Sequence, residues 1–290
     1  MLTFGEQAEV WLANLQNRKR DPVKQSTAIQ FRSHLNILLP LIGDMPLASV
    51  NNRALRELVP KLKGSAKTIQ CYLTTTKAIV GSLVDEDGQP IHKVKWNSTF
   101  IDIPDVGHQD QPSFDAGQVA DIVSRGNGAS LLYKLAAGTG LRIGEILALE
   151  VSDLKNRTLS ITKNLSQHGD IGTPKTEAGN RLVDLSPNLA HELSDHLRGR
   201  AGFMFDIRNQ STARLHLDQV LEDLKIKAPR MGFHSFRRFR ITHLGKSKVT
   251  NELIRFWVGH SKPDITSRYD KIDQAEQYRL AEAERVGLGF

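Results

Sequence analysis

Apolar residues along the first 85 positions recur every three to four residues. Phe4, Ala8, Trp11, Leu12 and Leu15 share one helical face, and Ala28, Ile29, Leu35, Leu38 and Leu39 share a second. "LIGDMP" breaks the pattern. Leu55, Leu58, Val59 and Leu62 then mark a third helix and, after "KGS", Ile69, Tyr72, Leu73, Thr76, Ile79, Val80 and Leu83 mark a fourth. The prediction is an N-terminal four-helix bundle. From about residue 86 the periodicity fades into "DGQPIHKV" and "IDIPDVGHQDQP", rich in Pro, Gly and Asp, which reads as a linker and divides the chain into 1–108 and 109–290. Beyond it "SFDAGQVADIV" opens a helix capped by Ser113 or Asp115, and "ASLLYKLAAGTG" forms another that stops at glycines. "TLSITKN", "GDIGTPKT" and "RLVDLS" alternate like three short strands of a meander. Helices follow near 187–198, 212–225, 234–244 and 250–258, and the tail from about 275 to 290 is again helical in pattern. The fold class is therefore mainly α with a small antiparallel sheet: a helical bundle followed by a mixed α+β domain.

Length agrees with two domains, since 290 residues exceed a typical single one. Composition narrows the partners. No run approaches the roughly 18 apolar residues of a membrane span, and the N-terminus lacks the basic start and unbroken apolar core of a secretion signal, so a cytoplasmic location is expected. The single cysteine, Cys71, rules out an internal disulfide and any cysteine-based zinc site. Net charge is +7, but its distribution says more than its total. Between Lys225 and Arg255, nine basic residues face one acid, Glu252, so this window alone carries +8. In the bundle, no acid occurs from Pro60 to Val84 while Lys61, Lys63, Lys67 and Lys77 do, which suggests either a basic face for a polyanion or an ordinary solvated face.

Three nucleotide or metal motifs fail on spacing. In "GTGLRIGEIL" the third glycine falls at 144, whereas a dinucleotide fingerprint needs it at 143, where Ile143 stands; the preceding segment is also helical rather than a strand. "GKS" at 245–247 lacks the earlier glycine of a P-loop, since Arg240 occupies that position, and "HELSDH" sets its histidines five apart where a zincin needs four. No cofactor and no metal are expected.

One constellation remains. His234 and Arg237 in "FHSFRRFRITH" are three apart on a helix and project from one face, Arg237 offering a planar fork suited to two phosphate oxygens. Arg142 sits among glycines at a helix start, and Glu145 three residues on is placed to orient its guanidinium. "VGHS" places His260 after a helix end, and "SRYD" supplies Tyr269 nine residues later.

With these residues in view the chain resembles the tyrosine recombinase family of phage integrases and chromosome-dimer resolvases. The resemblance rests on Arg142 and Glu145 in "TGLRIGEIL", Lys175 in "TPKT", "HSFRR" at 234–238, "VGHS" at 258–261 and Tyr269, in the family's order across residues 113–275. Phe236 and Val258 depart from it, each standing where the family usually has leucine. The resemblance implies a DNA breaking-rejoining catalytic domain at 109–290, behind a core-binding, DNA-binding domain at 1–108. It implies metal-free, ATP-free strand transfer in which Tyr269 attacks a DNA phosphodiester and keeps a 3′-phosphotyrosyl bond. Arg142, Arg237, His234 and His260 would cradle the transition state, with Glu145 in support and Lys175 as general acid. It further implies a double-stranded recombination site as partner, with DNA contacts at Lys61, Lys63, Lys67, Lys77, Arg238 and Arg240. A homo-tetramer would assemble on DNA, its C-terminal helix docked into a neighbouring protomer. A type IB topoisomerase and a non-catalytic DNA-binding accessory protein are the alternatives; the spacing of "VGHS" to Tyr269 and the short bundle favour the recombinase.

Overall fold

The structure is a computed structural model of residues 1–290, described here except for Asp21, His108, Lys175, Thr176, Ala228 and residues 261–271. It separates into two units, Met1–Gln109 and Asp110–Phe290.

In the first unit, α1 (Phe4–Asn17) is started by a reciprocal Thr3–Glu6 capping box. α2 (Gln25–Ile42) follows, then α3 (Asn52–Leu58), capped by Asn51, and α4 (Ala66–Gly81), capped by Ser65. The predicted apolar faces form the core: Phe4, Leu35, Leu38, Leu55, Leu73 and Ile79 are all buried. Burying each side chain contributes about 1.5–3 kcal/mol, which outweighs the weak propensity of a seven-residue helix such as α3. The segment predicted as a linker behaves differently. Val94, Trp96 and Ile103 pack against this core, and Ile101, in the single turn α5 (Ser98–Ile101), is completely buried. Asn52 donates to the Lys95 carbonyl and accepts from the Asn97 amide, while Gln70 donates to the Pro104 carbonyl. Side chains rather than a ladder satisfy this backbone, so no periodicity marks it. The lysines also divide. Lys61, Lys63 and Lys67 are exposed, whereas Lys77 is half-buried with its ammonium 5.6 Å from the centre of the Trp96 ring, and burial lowers its pKa.

The second unit opens with α6 (Ala116–Arg125), where Asp115 rather than Ser113 is the cap. α7 (Ser130–Thr139) and the short α8 (Ile143–Leu147) follow. Among the described residues five strands come next: β1 (Leu154–Lys155), β2 (Thr158–Ile161), β3 (Asn164–Leu165), β4 (Ile171–Gly172) and β5 (Arg181–Asp184). They do not form the predicted three-strand meander. β1, β2 and β5 make an antiparallel sheet in that order, with Leu159 opposite Val183 and Ile161 opposite Arg181, while β3 and β4 pair separately as a hairpin. The tight turn at Asn156, whose φ of 54° suits asparagine, brings a two-residue strand into the sheet; such a strand is too short to show alternation.

Helices α9 (Pro187–Leu197), α10 (Gln210–Asp223), α11 (Phe233–Lys246), α12 (Asn251–Val258) and α13 (Glu276–Val286) complete the unit. α11 packs on α7 through aromatic rings: Phe236 is completely buried, 4.8 Å from Phe114 and 6.0 Å from Tyr133 between ring centres. That layer accounts for phenylalanine in the place of leucine at 236. Within the single chain, α13 packs on its own unit. Arg279 is buried against Asp184 of β5 at 2.9 Å, and the Asp184 carboxylate also accepts from the Trp257 indole at 2.8 Å. At the end of α13, Arg240 and His243 of α11 donate to the carbonyls of Gly287 and Val286, and Phe290 lies against Phe239.

Candidate functional site

α7 ends in a left-handed glycine, Gly140 (φ 71°), whose amide closes on the Ala136 carbonyl. The chain then runs extended through Arg142, the N-cap of α8. Glu145, in the first turn of α8, binds back to Arg142 twice. Its carboxylate accepts from the Arg142 amide at 2.9 Å and from the guanidinium at 2.8 Å. Glu145 is buried, yet the other end of Arg142 stays partly open, its side chain 39% exposed. Burial alone would raise the carboxyl's pKa; the hydrogen bonds and charge of Arg181, and after them those of Arg142, hold it below the ordinary range.

Arg237 lies on the inner face of α11 and is buried. One nitrogen donates to the Gly140 carbonyl at 2.8 Å and the other to the Val258 carbonyl, so a single guanidinium joins the end of α7 to the end of α12. Val258 is two residues before His260, and Gly140 two before Arg142. Burial, then the charge of Arg142, lowers the pKa of Arg237 to about 10, which leaves it cationic at neutral pH. His234 stands one turn earlier on α11, and His260 follows Gly259, the left-handed cap of α12. Both rings keep an edge open to solvent. Desolvation first, and next the arginine charges headed by Arg237, lower both pKa values, so both rings are neutral at pH 7. Arg142, Arg237, His234 and His260 thus share one electropositive surface with the buried Glu145 carboxylate beneath it.

Beside it opens a cleft of about 770 Å³ lined by Arg142, His234, Arg238, Arg214, Arg230 and Gln210 among others. Arg238 reaches it while donating to the Pro112 carbonyl and the Gln111 side chain. Arg240 does not. It is only 4% exposed and turns inward to the Gly287 carbonyl, which removes it from the predicted DNA contacts. Among the described residues, no group of three or more His, Cys, Asp or Glu side chains is placed to hold a metal.

The model of the phage integrase family matches residues 118–276, more than half of the chain. The chain belongs to the phage integrase family. The matched span includes Arg142, Lys175, His234, Arg237, His260 and Tyr269. The integrase of Mycobacterium phage L5 is 24% identical over 172 residues, covering 52% of this chain and 46% of that one; the chain thus spans about half the length of this relative. In fold, the chain is similar to the Tn1549 transposon integrase in complex with circular intermediate DNA, with a TM-score of 0.76 at 18% identity, covering 97% of this chain and 100% of the other. It is also similar to a lambda integrase tetramer bound to a Holliday junction, with a TM-score of 0.63 at 14% identity, covering 91% and 79%. No helix among the described residues is long and apolar enough to cross a membrane.

Two of the residues predicted for the site, Lys175 and Tyr269, lie outside the described residues. Sequence reading missed Arg181. Its guanidinium is buried against Glu145, with contacts of 2.9 and 3.1 Å. The one available signal is a charged residue at a core-facing position of a strand, level with Val183, which a strand buries only when the charge is paired.

Proposed function

We propose that the chain is a site-specific DNA recombinase that cuts and rejoins strands through a covalent tyrosine intermediate. The carrying observation is the hydrogen-bonded frame in which Arg237 joins the turn of Arg142 to the end of α12 that bears His260. Three donors held in this way, the cationic Arg142 and Arg237 and the neutral His260, would point at one phosphate before reaction begins, and need no rearrangement as charge builds on its oxygens. In this reading the Tyr269 oxygen attacks phosphorus and the bond to the 5′-oxygen breaks, leaving a 3′-phosphotyrosyl ester and a free 5′-hydroxyl. The tyrosine proton passes to neutral His234, and Lys175 supplies the proton taken up by the departing oxygen. The ester keeps the bond energy for rejoining, so the cycle runs without ATP. Glu145 keeps the Arg142 guanidinium turned toward the site.

The cleft beside Arg142, together with exposed Lys61, Lys63 and Lys67, would track the backbone of duplex DNA, the first unit serving as the core-binding domain. By analogy with the lambda integrase neighbour, four copies would act together on a pair of sites, with α13 moving from its own unit to the next protomer. A nicked suicide substrate tests the chemistry. Wild type forms a covalent protein–DNA adduct and Tyr269→Phe forms none; an adduct persisting in Tyr269→Phe moves the nucleophile elsewhere. Supercoil relaxation without strand exchange between two sites would favour a topoisomerase.

A further inference from the structure

Arg181 is as well connected as any side chain at the site, yet it offers little to a substrate. Its side chain is 2% exposed. Nε donates to the Trp257 carbonyl at 2.7 Å, one Nη to Glu145 and to the Gly179 carbonyl at 3.1 and 2.9 Å, and the other Nη to the second Glu145 oxygen at 2.9 Å. Four of its five N–H groups are therefore spent on protein acceptors. These acceptors lie on three separate pieces of chain: α8, the end of α12, and the turn Glu177–Gly179, which begins two residues after Lys175. Gly259 sits directly on the guanidinium. A Cβ added there would come within 2.9 Å of the Arg181 carbon, so the left-handed turn leading into His260 is built over the fork. The other end of Arg181 is equally fixed, its backbone paired with Ile161 of β2.

We propose that Arg181 is the positioning residue of the site, a clamp that holds the Arg142 turn and the His260 end of α12 in register on the edge of the sheet. The inference rests on the recombinase reading for its consequence, but its geometry stands apart from it. Glu145 shares its two oxygens between Arg181 and Arg142. Without Arg181 the buried carboxylate keeps one cationic partner and draws the Arg142 guanidinium inward, away from the phosphate it would serve. A lysine at 181 cannot replace the clamp, because three donors on one nitrogen cannot span acceptors on three segments. Arg237 ties the same two regions through Gly140 and Val258, so the site is braced from two sides. Arg237 faces the substrate, whereas Arg181 lies behind.

The test uses Arg181→Met, Arg181→Lys and the double variant Arg181→Met with Glu145→Gln, which removes the buried pair as a unit and serves if the first variant does not fold. Single-turnover cleavage of the suicide substrate is expected to fall about 100-fold in Arg181→Met, as for a misplacement of about 1 Å, while the DNA dissociation constant stays within about threefold. Arg181→Lys recovers less than about a tenth of the lost rate. A role in stability alone would leave the pH profile unmoved. The charges that bear on His260 come from Arg237 on α11, Arg142 beside α8, Arg181 on β5 and Arg255 on α12, so losing one of them moves the acid limb of cleavage to higher pH. A folded Arg181→Met or double variant that cleaves within about threefold of wild type with an unmoved acid limb overturns the proposal. If wild type itself gives no Tyr269-dependent adduct, the recombinase reading has failed instead. The clamp is then decided by ¹⁵N NMR of the Arg142 guanidinium: slow rotation in wild type that becomes averaged in Arg181→Met supports it, and equal mobility in both refutes it.

Discussion

Replacing Arg237 with methionine separates what the site costs the fold from what it gives the reaction. Arg237 is buried, and desolvation together with the neighbouring Arg142 charge lowers its pKa to about 10. That depression corresponds to roughly 3 kcal/mol working against the charged guanidinium in the empty site. Methionine removes this penalty and fills similar volume, but leaves the carbonyls of Gly140 and Val258 without their donor. Each orphaned acceptor costs about 1–3 kcal/mol, so the two effects largely offset and the stability change stays within about 3 kcal/mol. Nothing offsets the loss in the reaction. A preorganised donor on the transition-state oxygens is worth about 10²–10³ in rate, or roughly 2.7–4 kcal/mol. The expected outcome is a protein with a near-normal urea midpoint and DNA affinity whose adduct forms at least about 100-fold more slowly. The assays are chemical denaturation, fluorescence anisotropy with a labelled site and single-turnover cleavage. Cleavage within about tenfold of wild type, or destabilisation beyond about 4 kcal/mol, would refute the reasoning.

Three further outcomes are expected. His234 and His260 have folded pKa values below the ordinary 6.5, so they bind fewer protons than the unfolded chain does. Their contribution to stability is complete above pH 6.5 and is lost as the pH falls through the lower folded values; cleavage at subsaturating DNA likewise keeps its acid midpoint below 6.5, and a midpoint above it contradicts the assignment. Gly259→Ala places a Cβ at φ 67°, 2.9 Å from the Arg181 guanidinium carbon and 3.0 Å from the Ala178 carbonyl. It should cost at least about 1–2 kcal/mol from the backbone alone and slow cleavage, as measured by thermal unfolding and adduct formation. Arg240→Met should leave the salt slope of DNA binding unchanged because Arg240 faces the Gly287 carbonyl, whereas Arg238→Met at the cleft should lower that slope by about 1.

The helices were legible because their apolar residues repeat at the helical period over several turns, as with Phe4, Ala8, Trp11 and Leu12 or with Ile69, Leu73, Thr76 and Val80. So was the pairing of Arg142 with Glu145, which needs only three residues of local chain and a helix start. Strand partners were not legible, because a two-residue strand such as β1 has no period and its pairing depends on a turn at Asn156. The folded-back segment at 94–104 was missed because it is held by Asn52 and Gln70, distant in sequence.

The sequence by itself determined the inventory: which helices form, where charge gathers, and which side chains with phosphate-binding chemistry exist. Those properties depend on neighbours a few residues away. Tertiary structure decided the use of each arginine. Arg237 and Arg238 are adjacent and chemically identical, yet one is buried between two helix-end carbonyls while the other lines a cleft. Arg181 and Arg279 carry the same charge as any solvated arginine, but their carboxylate partners, Glu145 and Asp184, lie 36 and 95 residues away. A guanidinium has the same donors wherever it stands in a chain; which acceptors reach it is fixed only when distant segments pack and solvent is excluded.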